Sequence, residues 1–305
     1  MYSDKSYQSQ LSSLIPSASS SPIDLDTIYS EFFFSLANQK VVVYEIKTIN
    51  PETPILVTVA QNQNLADSTG GIIWETSYLL LQFLLQSISR RGDDVKLRGC
   101  DVDLKTHCDV GSGCGLLPIV TEKVYSLETT ATEVGGEVLD LLTSNCANNG
   151  GRVEVSKLDW LEFVGGKEYD LVTGTDVLFR EDLVVPLLRT LSMLTKSGTG
   201  VCYLCCQIRC PDSHALFMSE MKGGGWFEEW EVISEDVYGE VEWGRGVEGI
   251  VWRMRGGLGG KSKGGKGRKR KMEKKEKKEK KEKKEKKEKR EKREKREKKE
   301  KKHKT

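Results

Sequence analysis

The sequence predicts an α/β fold, a parallel sheet with helices packed on its faces. Two observations carry that expectation. From Val102 to Arg255, strand-like and helix-like segments alternate, the order produced by right-handed strand–helix–strand crossovers. Within that stretch the run Asp109-Val-Gly-Ser-Gly-Cys-Gly115 follows a strand and opens a helix. Glycines at such a junction let the backbone approach a ligand closely and leave free N–H groups at the helix start.

Residues 1–25 are rich in Ser and Gln with scattered Pro and read as a disordered leader, too poor in apolar surface to order itself. A folded domain is expected over residues 26–258 and a Lys/Glu-rich low-complexity tail over 259–305. The domain begins with a β-hairpin, Lys40–Ile46 and Ile55–Gln61, joined by a Pro-containing turn. In Trp74–Ile88, Leu80, Leu81, Leu84, Leu85 and Ile88 recur at helical spacing, which predicts an amphipathic helix. The strand Val102–Val110 then leads into the glycine cluster. It is followed by a strand at Lys123–Glu128, a helix at Glu137–Asn149, and strands at Val153–Trp160 and Tyr169–Phe179. A helix at Val184–Thr195, a strand at Gly200–Ile208 and a helix around His214–Met221 come next. The strands Trp226–Tyr238 and Gly249–Arg255 are expected to pair with each other at the sheet edge.

The formal charge of +2 is a cancellation. Residues 261–305 hold 28 Lys or Arg against 10 Glu, a net +18, which leaves −16 on residues 1–260. An acidic body repels nucleic acid at long range, so RNA or nucleolar contact is expected only through the tail, with Lys266–Lys271 as a nuclear-retention segment. The competing reading of the tail is a solvated solubility segment. Its three-residue repeat sets Glu273 four residues before Lys277, a pairing of about 0.2–0.5 kcal/mol that supports only a helix–coil mixture. Eight cysteines in a chain with no apolar secretory segment read as reduced thiols, with a cytoplasmic or nuclear location and a monomeric state expected. Cys202, Cys205, Cys206 and Cys210 invite a zinc reading, but they lie in a strand, which points neighbours to opposite faces. No apolar run reaches the roughly 18 residues of a membrane span.

The glycine spacing helps to choose a ligand. A dinucleotide fingerprint would put its third glycine at position 116, which is leucine; here it stands one residue earlier, the form associated with S-adenosylmethionine. A purely structural turn is the alternative. Glu128, read as the end of the second strand, could accept both ribose hydroxyls, or be a surface glutamate. Trp160 could stack on adenine and Asp159 accept from its amino group, although tryptophan is also a common core residue.

Together these stretches resemble the methyltransferase-like 21 group, or methyltransferase family 16, of seven-stranded protein-lysine methyltransferases. The matching runs are Gly70–Leu84, Asp109–Val120, Glu137–Gly151, Leu158–Trp160, Tyr169–Phe179, Pro186–Thr195 and Cys205–Arg209. The resemblance implies a Rossmann-like sheet of seven strands whose last strand is antiparallel. It implies S-adenosylmethionine contacts at Trp74, Gly111, Ser112, Gly113, Glu128, Trp160 and Thr175. It also implies a catalytic Asp176 and Phe179, from the Asp/Glu-x-x-Tyr/Phe motif after the fourth strand. The substrate it implies is a non-histone protein with an exposed lysine, of chaperone, elongation-factor or ATPase type. No Asn/Asp-Pro-Pro-Tyr/Phe segment stands there, which argues against a nucleobase or glutamine amide as acceptor. Asp176 would orient the lysine and Phe179 line its channel; the competing role for Asp176 is a loop cap. Arg209 is read as a structural residue, and His107, in an unusually polar strand, as facing a partner group. Only eight residues separate Gly115 from Val124, so the first helix is expected to be shortened. An inactive adaptor with this fold is the rival reading, and a nucleotide-dependent oxidoreductase a weaker one.

Overall fold

A computed structural model describes residues 35–46, 54–65, 69–97, 102–233 and 249–258. The expected leader and tail, and the expected strand beyond Ile233, lie outside the described residues. Val41–Ile46 (β1) and Ile55–Ala60 (β2) form the hairpin, in antiparallel register from Val41 opposite Ala60 to Ile46 opposite Ile55. The helix Glu75–Ser87 (α1) follows. A small antiparallel sheet, which the sequence pattern did not suggest, comes next: Ile88–Arg91 (β3), Asp94–Leu97 (β4) and Val102–Asp103 (β5).

The main sheet contains Thr106–Val110 (β6), Glu128–Glu133 (β7), Glu154–Lys157 (β8), Leu171–Thr175 (β9), Val201–Cys206 (β10), Phe227–Val232 (β11) and Ile250–Gly257 (β12). Its seven strands run in the order β11-β12-β10-β9-β6-β7-β8. β6 is parallel to β7 and β9, whereas β12 is antiparallel to both β10 and β11. The expected mostly parallel sheet with an antiparallel last strand is therefore present. The helices Leu116–Tyr125 (α2), Gly136–Asn148 (α3), Glu181–Leu194 (α4) and Pro211–Gly223 (α5) link the strands.

Each face of the sheet has its own core. One gathers Leu80, Leu84, Ile119 and Leu142 with Val42 and Tyr44 of the hairpin; the other gathers Leu187, Leu191, Phe217 and Trp252. Each such side chain contributes roughly 1.5–3 kcal/mol by leaving water. α1 is buried on more than one stripe, because Tyr78 meets Tyr44 of the hairpin while Phe83 meets Tyr203 of β10. All six residues of β10 are buried, as in a strand covered on both faces. Cys202 and Cys206 point into one core and Cys205 into the other, the alternation a strand imposes.

Two expectations are corrected. Lys123, Val124 and Tyr125 belong to α2, which is therefore a ten-residue helix and not a shortened one. It stops at Ser126, whose φ of 55° is left-handed, and the next strand starts only at Glu128. Strand order reverses between β6 and β9, and such a switch point opens a crevice at the carboxyl ends of the strands.

Candidate active site

The crevice is built on the turn between β6 and α2. Gly111 and Gly113 have φ of 66° and 54°, where a side chain would be strained. A Cβ on Gly113 would also lie 3.1 Å from the Gly70 carbonyl oxygen, and one on Gly111 3.2 Å from Val177 and 3.4 Å from Trp160. Ser112 ties the turn to β7: its N–H donates to Thr132 O at 2.9 Å, and its Oγ accepts from Thr132 N–H at 3.1 Å. Asn145 on α3, which sequence reasoning missed, donates to Cys114 O and Ala60 O and accepts from Ala60 N–H. One buried amide thereby joins the glycine turn to the hairpin, and Asn149, one turn later, serves Thr58 in the same way.

Two carboxylates stand at the inner wall. Asp109 is 3% exposed and accepts from Thr173 Oγ1 at 2.5 Å; burial, above all, pushes its pKa up to about 7. Glu133 ends β7 and accepts from the Gly113 N–H at 2.8 Å and the Val134 N–H at 3.1 Å. Burial raises its pKa against those two bonds. Among the described residues neither carboxylate has an ion-pair partner.

Glu133, not Glu128, occupies the position expected of the ribose-binding acid. Glu128 begins the strand at the far end from the crevice, with its side chain 68% exposed and paired to Lys167. The reason is the longer helix: absorbing Lys123–Tyr125 into α2 moves the strand five residues along the chain.

The cavity at these strand ends encloses about 490 Å³, within the range of small-molecule sites. Every candidate residue except Glu128 lines it. Trp160 covers Gly111, and the Thr175 hydroxyl meets that of Ser77 at 2.9 Å. Trp74, just before α1, donates from Nε1 to Thr69 O at 3.0 Å. At the mouth, Phe179 is 38% exposed.

Asp176 has a φ of 51° and its carboxylate is engaged: Oδ1 accepts from Gln207 N–H at 3.0 Å, and Oδ2 from Arg209 Nε and Nη2 at 3.2 and 3.0 Å. Arg209 Nη2 also donates to Glu75 Oε2 at 2.9 Å, and its guanidinium lies 4.4 Å from the Trp74 ring centre. Arg209 thus clamps the two sides of the mouth, a partner for Asp176 that sequence spacing did not disclose.

This chemistry suits S-adenosylmethionine. Two carboxylates without cations match its positive charges and its ribose diol, the glycine turn leaves room where any Cβ would intrude, and an indole flanks the turn.

A sequence model described as lysine methyltransferase matches residues 56–224. The protein N-lysine methyltransferase METTL21A of Mus musculus is 32% identical over 158 residues, 49% of this chain and 66% of that protein. METTL21A of Danio rerio is 31% identical over 159 residues, 50% of this chain and 66% of that protein. The chain therefore spans 66% of the length of these curated relatives. A methyltransferase of Pyrococcus furiosus superposes on 76% of this chain and 98% of its own, with 13% identity and a TM-score of 0.44.

Proposed function

This chain belongs to the lysine methyltransferase family, and on that premise we propose that it transfers the methyl group of S-adenosylmethionine to a lysine of a non-histone protein. The observation that supports the reading most directly is the cavity at the sheet's switch point, where the glycine turn meets two carboxylates, Asp109 and Glu133, with no ion-pair partner among the described residues.

The cofactor supplies an electrophilic methyl group on a sulfonium. Glu133 offers its carboxylate oxygens to the ribose hydroxyls, and Ser112 and Gly113 keep the backbone low enough for close approach. Trp160 provides a flat apolar wall for the adenine. Asp109 offers a negative charge to the cationic end.

In-line attack requires a neutral amine held against the methyl group, so alignment is the main contribution of the protein. With a pKa near 10.4, about one lysine in a thousand is neutral at physiological pH, equivalent to roughly 4 kcal/mol. Two carboxylates, Asp176 and Glu75, share the guanidinium of Arg209, and Arg180, which also lines the cavity, is paired with Asp182, so the excess negative charge draws an ammonium in. Because Arg209 already engages Asp176, that carboxylate orients the lysine as part of a fixed cluster. The exposed Phe179 ring lines the channel, and the amine proton passes to water. The ten residues of α2 remove the shortened helix that had favoured an inactive adaptor.

Incubation of the full chain with radiolabelled S-adenosylmethionine and a cell lysate, followed by mass spectrometry of labelled bands, tests the proposal. Methyl-lysine on a discrete protein is the expected result. Label on no protein, by a chain that binds the cofactor, would overturn it.

A further inference from the structure

Behind the cavity wall lies a buried line of four polar side chains. Thr121 Oγ1 on α2 is 2.9 Å from His107 Nδ1, His107 Nε2 is 2.8 Å from Thr173 Oγ1, and Thr173 Oγ1 is 2.5 Å from Asp109 Oδ1. Thr121, His107 and Thr173 are 0% exposed. The far end reaches the Leu117 and Pro118 carbonyl oxygens, each 3.0 Å from Thr121 Oγ1, and the near end opens into the cavity at Asp109.

Each hydroxyl has one proton to donate, and a neutral imidazole has one N–H. The line then has two polarities, set by whether Thr173 donates to Asp109 Oδ1 or accepts from it. With Asp109 ionised, Thr173 donates to Asp109, His107 donates from Nε2 to Thr173, and Thr121 donates to Nδ1. With Asp109 protonated on Oδ1, Asp109 donates to Thr173, Thr173 donates to Nε2, His107 donates from Nδ1 to Thr121, and Thr121 donates to the α2 carbonyls.

We propose that this line is a two-polarity switch coupled to the cofactor site: binding of cationic S-adenosylmethionine ionises Asp109, and His107 changes from the Nδ1–H to the Nε2–H tautomer. The proposal rests on the cofactor reading above. The protons balance: one leaves Asp109 for solvent, the two hydroxyl protons turn to their other acceptors, and the imidazole gives up its Nδ1 proton and gains one at Nε2 by exchange with water on local opening. Polarity is transmitted to the first turns of α2, the helix that the glycine turn opens.

The surrounding groups fit this role. Around Asp109 stand Glu133 from β7, Cys146 from α3 and, on its own strand, His107 on the same face and Cys108 on the other; Asp176, at the same cavity, is paired with Arg209. Burial raises both thiols, Cys146 to about 12 and Cys108 further, and lowers His107 to about 3, so none of these three changes charge near neutrality. Burial, opposed by the Thr173 and Ser112 bonds and reinforced by Glu133, places Asp109 at about 7, where a nearby cation can ionise it. The sign follows: a cation lowers the pKa of Asp109, binding releases a proton, and affinity rises with pH through about 7 and then levels.

The test is nitrogen NMR of the full chain labelled at its three histidines, with His214→Gln and His303→Gln isolating the His107 signals. Adding S-adenosylmethionine near pH 7 is expected to shift His107 from Nδ1–H to Nε2–H. Without cofactor, raising the pH through 7 is expected to give the same change, with no imidazolium. Thr173→Val, which removes the link yet keeps the shape, is expected to abolish both responses while the protein still binds cofactor. A tautomer that stays constant across the titration, an imidazolium signal, or a response that survives in Thr173→Val overturns the proposal. If S-adenosylmethionine does not bind, the cofactor reading fails by itself and the cofactor-free titration still decides the switch.

Discussion

Two pairs of carboxylates at or beside the cavity, Asp109 with Glu133 at its inner wall and Asp176 with Glu75 at its mouth, are treated in opposite ways. At the mouth, Asp176 and Glu75 share the Arg209 guanidinium, which also lies on Trp74. At the inner wall, Asp109 and Glu133 are held by a hydroxyl and by backbone N–H groups, and burial raises both pKa values. A paired carboxylate is already compensated and held in place; a buried one without a counter-charge is costly and is maintained where a cationic or hydroxyl-rich ligand completes it. The comparison separates what builds the mouth from what awaits the cofactor.

The strongest way to break this comparison is Asp109→Asn. Calorimetry is expected to show cofactor affinity falling about 10- to 100-fold, the worth of one charge-assisted interaction. Stability should move the other way. The folded-state pKa of Asp109, about 7, exceeds its ordinary value of 3.8, so the parent loses stability as pH rises through that window. Above pH 7 the variant, which has no group to ionise there, should melt at a higher temperature than the parent. A lower melting temperature would show that the Asp109 carboxylate holds the fold and not the ligand.

A smaller effect distinguishes the two ends of β7. Glu133→Gln is expected to weaken cofactor binding about tenfold by removing a charged acceptor. Glu128→Gln should leave it within about twofold and change stability by less than about 0.5 kcal/mol, since its pair with Lys167 is exposed. Equal losses from the two substitutions would return the ribose role to Glu128. Smaller again for the cofactor is Arg209→Ala, which should raise the KM for the protein substrate about tenfold while leaving cofactor affinity within about twofold. Because the Arg209 side chain is 35% exposed, the stability loss should be about 1 kcal/mol.

Most of the fold was legible because its strands and helices alternate and are apolar where they are buried. The error at Lys123–Tyr125 has a physical origin: Val and Tyr favour strands, yet the helix continues through them until Ser126 takes a left-handed conformation. The true strand, Glu-Thr-Thr-Ala-Thr-Glu, looks too polar to be central, because hydropathy does not register hydroxyls satisfied inside the sheet, such as Thr132 Oγ1 on Asp109 O. His107 is hidden in the same way by its two threonines. The small sheet β3-β4-β5 was missed because its strands are four residues or shorter. At the site, the glycine turn could be read from local spacing, and the residues after β9 from the family resemblance. Arg209 on Asp176 and Asn145 on the hairpin join positions 33 and 85 residues apart, and only the fold brings them together.

The most direct measurement is calorimetric titration of S-adenosylmethionine into the full chain and into Gly113→Arg, whose side chain would fill the turn against Gly70. The account predicts one site of about micromolar affinity, weakened at least about 100-fold in a variant that still melts cooperatively. No binding by the folded parent chain, or equal binding by both proteins, would contradict it.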